Sequence, residues 1–152
     1  MSNKSSYENL QEHIRKLKAP EIEVWENQYP DKNYLITMEE PEFTCICPKT
    51  GLPDFANIQI SYKPTKWCIE LKSFKYYINF YRNVGIFHEH VVNKILEDLV
   101  KACKPRWMQI TGKFNPRGGI TTTVQAQYGV PQKSFTNRTK SRQSKKGETI
   151  LI

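Results

Sequence analysis

Between positions 87 and 103 the apolar residues Val91, Ile95, Leu99 and Cys103 recur at every fourth position, with Val92, Leu96 and Val100 running beside them. Residues four apart share one face of an α-helix, so the two rows form a broad apolar stripe that must be buried. A helix over 87–103 therefore needs a layer to lie against, and other segments offer one with a period of two. In FANIQISY (55–62), Ile58, Ile60 and Tyr62 alternate with polar residues, as in a half-buried strand. A second strand is predicted over 66–71, close enough after Lys63, Pro64 and Thr65 to pair with the first as a hairpin. Two more are predicted over 107–111 and 120–127, with the glycines and proline of GKFNPRGG (112–119) as the turn between them. Phe74, Ile78 and Tyr81 place a second helix over 72–82, closed by Gly85.

The order ββααββ predicts an α+β fold, a four-stranded antiparallel sheet with two helices on one face. The other face then meets water or another subunit. A chain of 152 residues holds one domain with a core, read here as 41–130, with an N-terminal arm (1–40) and a C-terminal tail (131–152). Leu10, Ile14 and Leu17 give the arm a loose helical pattern that Pro20 ends. The formal charge is +8, and the stretch from Lys133 onward carries +5 of it. That Lys/Ser-rich tail is predicted to be disordered. The body's remaining charge is compatible with an anionic ligand but does not demand one.

Four cysteines, at 45, 47, 68 and 103, show no regular framework, and no apolar run near the start resembles a signal peptide or a membrane span. The expectation is a cytoplasmic protein with reduced thiols. Cys45 and Cys47 lack the second ligand pair that makes a zinc site persuasive, so no metal is expected. Cys47 lies on a turn-rich loop, CICPKTGLPD, seven residues before Asp54. If the loop folds back, thiol and carboxyl can meet at a substrate and exchange a proton; the alternative is a small buried hydrophobe. Glu89, beside His88 at a helix start, either caps backbone N–H groups or accepts paired hydrogen bonds from a guanine-like edge. Glu70 either pairs with Lys72 or caps the next helix. Lys72 and Lys75 share a helical face near a helix start, which suits either solvent or phosphates, and Lys113 and Arg117 are placed to extend that patch. No segment fits the glycine fingerprint of a Rossmann unit, so a nucleotide would need another mode of binding.

The segments CPKTGLPDFA, ELKSFKYY, YRN, GIFHEH and GKFNPRGG occur in an order that resembles the single-module NADPH-dependent 7-cyano-7-deazaguanine reductases, over about residues 40–130. The resemblance implies a tunnelling fold, or T-fold, whose subunits join their sheets into a ring with active sites between neighbours, assembled as a decamer of two pentamers. It implies Cys47 as nucleophile and Asp54 as proton donor in the reduction of a nitrile to an amine on the way to queuosine in tRNA. It further implies substrate contacts from Ile69, Glu70, Leu71, His88 and Glu89, and NADPH contacts from Lys72, Ser73, Lys75 and Arg117. Two other readings stand beside it. One is an archaeosine-type amidinotransferase that adds ammonia to the same nitrile in tRNA; the other is a noncatalytic RNA-binding module using the basic tail and exposed aromatics.

Overall fold

The computed structural model describes residues 9–130. The basic tail and the first eight residues of the arm lie outside the described residues. The long apolar row forms helix α2, His88–Cys103, and Val91, Ile95, Leu99 and Cys103 are all fully buried. The aromatic-rich segment forms helix α1, Leu71–Phe80, continued by one 3-10 turn, Tyr81–Asn83.

The strands in chain order are β1 (Val24–Glu26), β2 (Ile36–Ile46), β3 (Pro53–Lys63), β4 (Trp67–Ile69), β5 (Trp107–Arg117) and β6 (Ile120–Tyr128). The main sheet is antiparallel with order β2-β3-β5-β6. Its four strands and the two helices reproduce the expected ββααββ order. One of the four is not the strand expected. Residues 67–69 pair with β1 in a separate two-stranded sheet, so the hairpin between 55–62 and 66–71 does not form. The missing partner of β3 is β2, whose middle reads Glu39-Glu40-Pro41-Glu42. Charge and proline there hide the period of two, and the strand accommodates them with a register shift between Glu40 and Phe43 at the sheet's edge. Sheet residues thus begin at Ile36, ahead of the boundary placed at 40/41.

The segment GKFNPRGG is the second difference. Gly112 to Arg117 continue β5, and only Gly118 and Gly119 turn the chain, both with positive φ (56° and 80°) as a two-residue hairpin requires. Gly112 has another function, because a Cβ there would lie 2.8 Å from Val92 Cγ2 and 3.1 Å from Ile58 Cδ1. Its missing side chain lets α2 approach the sheet. On the covered face Phe43, Ile58, Ile60, Tyr62, Met108 and Ile110 pack with the α2 stripe and with Phe74, Tyr77 and Tyr81. The outward positions of β5 and β6 include Gln109, Thr111, Lys113, Thr123, Gln125 and Gln127. This polar face carries no helix among the described residues. No described helix is long and apolar enough to cross a membrane.

Candidate active site

The end of β2 sets the site. Cys47 follows Ile46, and its N–H donates to Leu52 O at 2.8 Å while Gly51 N–H donates to Cys47 O at 2.9 Å, closing a tight loop into β3. Ile46 also pairs in parallel with Gly85: its N–H donates to Val84 O at 2.9 Å, and Ile86 N–H donates to Ile46 O at 3.0 Å. This bridge brings the start of α2 alongside the Cys47 loop. Ile46 and Gly85, far apart in the chain, thereby become neighbours.

Asp54, the second residue of β3, alternates with Ala56 and Ile58 and so points inward, 5% exposed. One oxygen, Oδ2, lies 3.2 Å from His88 Nε2, and the other receives Arg117 Nε. Arg117 also donates from Nη2 to Pro53 O at 3.3 Å. The His88 ring stacks on Phe114, centroids 3.7 Å apart and planes 8° from parallel, which fixes the imidazole edge toward the carboxylate. Cys47, Lys49, Thr50, Asp54, Phe87, His88, Glu89 and Arg117 line a cavity of about 350 Å³. A larger cavity of about 500 Å³ between residues 17–22 and the helices has no cysteine in its wall.

The two thiols of the opening loop differ. Burial pushes the Cys45 thiol up to about 12, with the Asp54 charge adding to the effect. Cys45 is fully buried, pairs across the strands with Asp54, and directs Sγ toward Ile86 O at 3.8 Å. It is a core side chain. At Cys47 burial works in the same direction, yet hydrogen bonds from the Thr50 hydroxyl, the Thr50 and Lys49 backbone and the Arg117 guanidinium outweigh it and lower the thiol to about 7. About half of Cys47 is therefore thiolate at neutral pH, the form that attacks electrophiles. No group of three or more His, Cys, Asp or Glu side chains suited to a metal ion occurs among the described residues.

A family model described as QueF-like protein matches residues 53–133. The NADPH-dependent 7-cyano-7-deazaguanine reductase of Chloroherpeton thalassium is 57% identical over 112 residues, covering 74% of this chain and 97% of its own. The enzyme of the same name from Elusimicrobium minutum is 55% identical over 120 residues, covering 77% of this chain and 90% of its own. The chain belongs to the QueF-like family. A solved family structure, the archaeosine synthase QueF-Like in its apo form, superimposes with a TM-score of 0.59 at 26% identity, covering 64% of this chain and 96% of that one.

Against this family background the expected site residues divide into two groups. Cys47, Asp54, His88, Glu89 and Arg117 converge on the cavity. Ile69, Glu70, Leu71, Lys72, Ser73 and Lys75 gather instead at the start of α1. Ile69 N–H donates to the Tyr62 hydroxyl at 3.1 Å, which places that group at the far end of β3 from Asp54. Asp54 and Tyr62 are eight residue steps apart along β3, about 25 Å. Glu70 caps α1, its carboxylate oxygens accepting from Lys72 N–H at 2.8 Å and Ser73 N–H at 2.7 Å. These bonds hold its carboxyl below the usual carboxylate range. The backbone N–H groups that suit a phosphate at this helix start are thus already occupied. Ser73 is buried and accepts Glu23 N–H at 2.9 Å, while Lys72 and Lys75 are exposed.

Sequence reasoning missed Thr50 and Phe114. Thr50 sat within the Lys-Thr-Gly turn, where a threonine before glycine is ordinary turn chemistry. Phe114 was hidden because GKFNPRGG read as a turn, although its apolar side chain keeps the period of two from Met108 and Ile110.

Proposed function

We propose that this chain reduces the nitrile of 7-cyano-7-deazaguanine to the 7-aminomethyl group at the expense of NADPH, in the route to queuosine in tRNA, with Cys47 as covalent nucleophile. The observation that carries the reading is the convergence of a thiol lowered to about 7 with Asp54, His88, Glu89 and Arg117 around one cavity. The curated relatives named for this reaction support it.

The chemistry follows from the side chains. A nitrile carbon is a modest electrophile, and direct hydride addition would leave charge on nitrogen. Attack by the Cys47 thiolate forms a C–S bond while Asp54 delivers a proton to that nitrogen, giving a neutral thioimide that accepts hydride more readily. NADPH, when bound, would supply a hydride to the thioimide and a second to the imine that follows, the nitrogen taking up a second proton from solvent to become the amine. Between the two, the Cys47 sulfur leaves as thiolate and the C–N double bond re-forms. His88, 3.2 Å from Asp54 and clamped on Phe114, holds the carboxylate toward the nitrile. Glu89, exposed on the cavity's rim, is positioned to accept the ring N–H and exocyclic amine of the deazaguanine.

Two exposed ammonium groups at i, i+3, Lys72 and Lys75, fit the phosphates of a dinucleotide, with Ser73 positioned beneath them. For that group, and for Ile69, Glu70 and Leu71, to serve the cavity at the other end of the sheet, a neighbouring copy must contribute it. The assembly implied is a decamer of two pentamers joined through the sheet edges β2 and β6. What supports this is that β2 and β6 are the outer strands of the sheet and pair on one side only within the main sheet. A cytoplasmic setting, where thiols stay reduced, suits a free Cys47.

The test mixes purified protein, NADPH and 7-cyano-7-deazaguanine. Nitrile-dependent oxidation of two NADPH per amine is expected. The second reading, nitrile amidation, draws on the archaeosine synthase among the structural relatives. It takes over if a stable Cys47 adduct forms and NADPH is never consumed.

A further inference from the structure

The segment ahead of the sheet reaches the active-site end through one side chain. Gln11 lies before a single 3-10 turn, Ile14–Lys16, and Ile14 anchors it in the core at 6% exposure. The Gln11 amide then spans the connection from α1 to α2. Its Nε2 donates to Gly85 O at 3.3 Å and to Leu10 O at 2.8 Å. Its Oε1 accepts the Phe87 N–H at 3.1 Å and lies 2.9 Å from His90 Nδ1.

These contacts fall at consequential positions. Phe87 is the N-cap of α2 and makes no side-chain capping bond of its own, so Gln11 satisfies from outside a backbone donor at this helix start. Gly85 is the residue bridged to Ile46, next to Cys47. His88 and Glu89 lie between Phe87 and His90, both of which Gln11 holds. One side chain therefore fixes the peptide on both sides of the pair that faces Asp54 and the cavity.

We propose that Gln11 is a positioning residue for the nitrile substrate, setting the orientation of His88 and Glu89 relative to Cys47 and Asp54 through its grip on Gly85, Phe87 and His90. The inference rests on the reading above that His88 and Glu89 receive the substrate. It gives the N-terminal segment a function that the division into arm and catalytic domain does not. The cofactor group at the start of α1 touches none of these atoms, so its affinity should not respond.

The experiment compares full-length wild type, Gln11→Leu and Gln11→Glu. Leucine removes every polar contact, and the KM for 7-cyano-7-deazaguanine should rise about tenfold, the size of one lost hydrogen bond, with the NADPH KM unchanged. Glutamate keeps the acceptor for Phe87 N–H and His90 but sets an oxygen against Gly85 O and Leu10 O in place of Nε2, so its nitrile KM should fall between those of Gln11→Leu and wild type. Backbone amide exchange is measured alongside: Gln11→Leu should speed exchange at Phe87, and Gln11→Glu should not. An unchanged nitrile KM in Gln11→Leu, even with a lowered melting temperature, overturns the proposal. So does unchanged exchange at Phe87, which requires no turnover. A wild type that fails to oxidise NADPH would overturn the reductase reading, and the exchange result would still judge the hold of Gln11 on Phe87.

Discussion

The Thr50 hydroxyl is the largest of the groups that counter burial at Cys47, so Thr50→Val isolates it while keeping shape. The native thiol lies at about 7 against an ordinary 9.0, with burial pushing upward and the Thr50, Lys49 and Arg117 donors pulling down. At pH 7 a thiol at 7 is about half ionised, whereas one near 9 is about 1% ionised. Removing one of four donors should bring the inflection to about 8 and the thiolate fraction at pH 7 to about a tenth. A more basic thiolate is also intrinsically more reactive, by about threefold for one pH unit. Exchange with a small aromatic disulfide, followed by colour release, should therefore be about twofold slower than wild type at pH 7 and about threefold faster above pH 9. The other three thiols contribute little, because Cys45, Cys68 and Cys103 are at most 1% exposed against 9% for Cys47. The crossing of the two curves is the signature. Curves that stay parallel across pH would mean that the hydroxyl affects access alone, and the account of the lowered thiol would fail.

Cys47→Ala should abolish both nitrile adduct and turnover by intact mass and NADPH oxidation, whereas Cys45→Ala should keep substantial activity, since the Cys45 thiol is buried and pushed up to about 12. Equal loss in both would point to a joint role for the pair. Lys72→Ala and Lys75→Ala should each raise the NADPH KM severalfold with the nitrile KM unmoved, the size of a lost charge-assisted contact; steady-state kinetics that leave the cofactor KM unchanged would remove these lysines from phosphate binding. Gly112→Ala should cost about 1–3 kcal/mol in denaturant unfolding, because the new methyl meets Val92 Cγ2 at 2.8 Å. Adding Val92→Ala should recover part of that loss, and strictly additive losses would show that this contact does not limit the approach of α2.

What could be read from the chain follows how local its cause was. The α2 stripe needed only one helix and one layer, and every member of its main row is fully buried. Strand β2 could not be read because Glu39, Glu40 and Glu42 look like loop residues until Gln59, on the neighbouring strand, is seen donating to Glu39 at 2.8 Å. The exchange of β4 for β2 as the partner of β3 follows from the same long-range pairing. Cys47 and Asp54 were legible as a pair because a single loop joins them. Their contacts to Arg117 and His88 depend on the Ile46–Gly85 bridge and on the length of β5, which no local pattern encodes.

Glu70 and Glu89 illustrate what one chain can and cannot assemble. Both fall at positions that the resemblance assigns to substrate binding, yet about 25 Å of strand separates their ends of the sheet, several times the width of a fused two-ring base. One deazaguanine cannot touch both within a single subunit. Within the chain Glu70 is already satisfied by the two N–H groups at the start of α1, while Glu89 has its side chain exposed at the cavity. In the proposed reaction Glu89 is the carboxylate that the chain supplying Cys47 offers to the base edge, and a Glu70 contact would have to come from a neighbouring copy. The α1 start can serve the reaction only by presenting Leu71, Lys72 and Lys75 to a neighbour's cavity, its cap held rigid by Glu70 and by the Ser73–Glu23 bond. On the proposed assembly Glu70, as the cap of α1, would brace the helix that carries Lys72 and Lys75 toward a neighbouring copy.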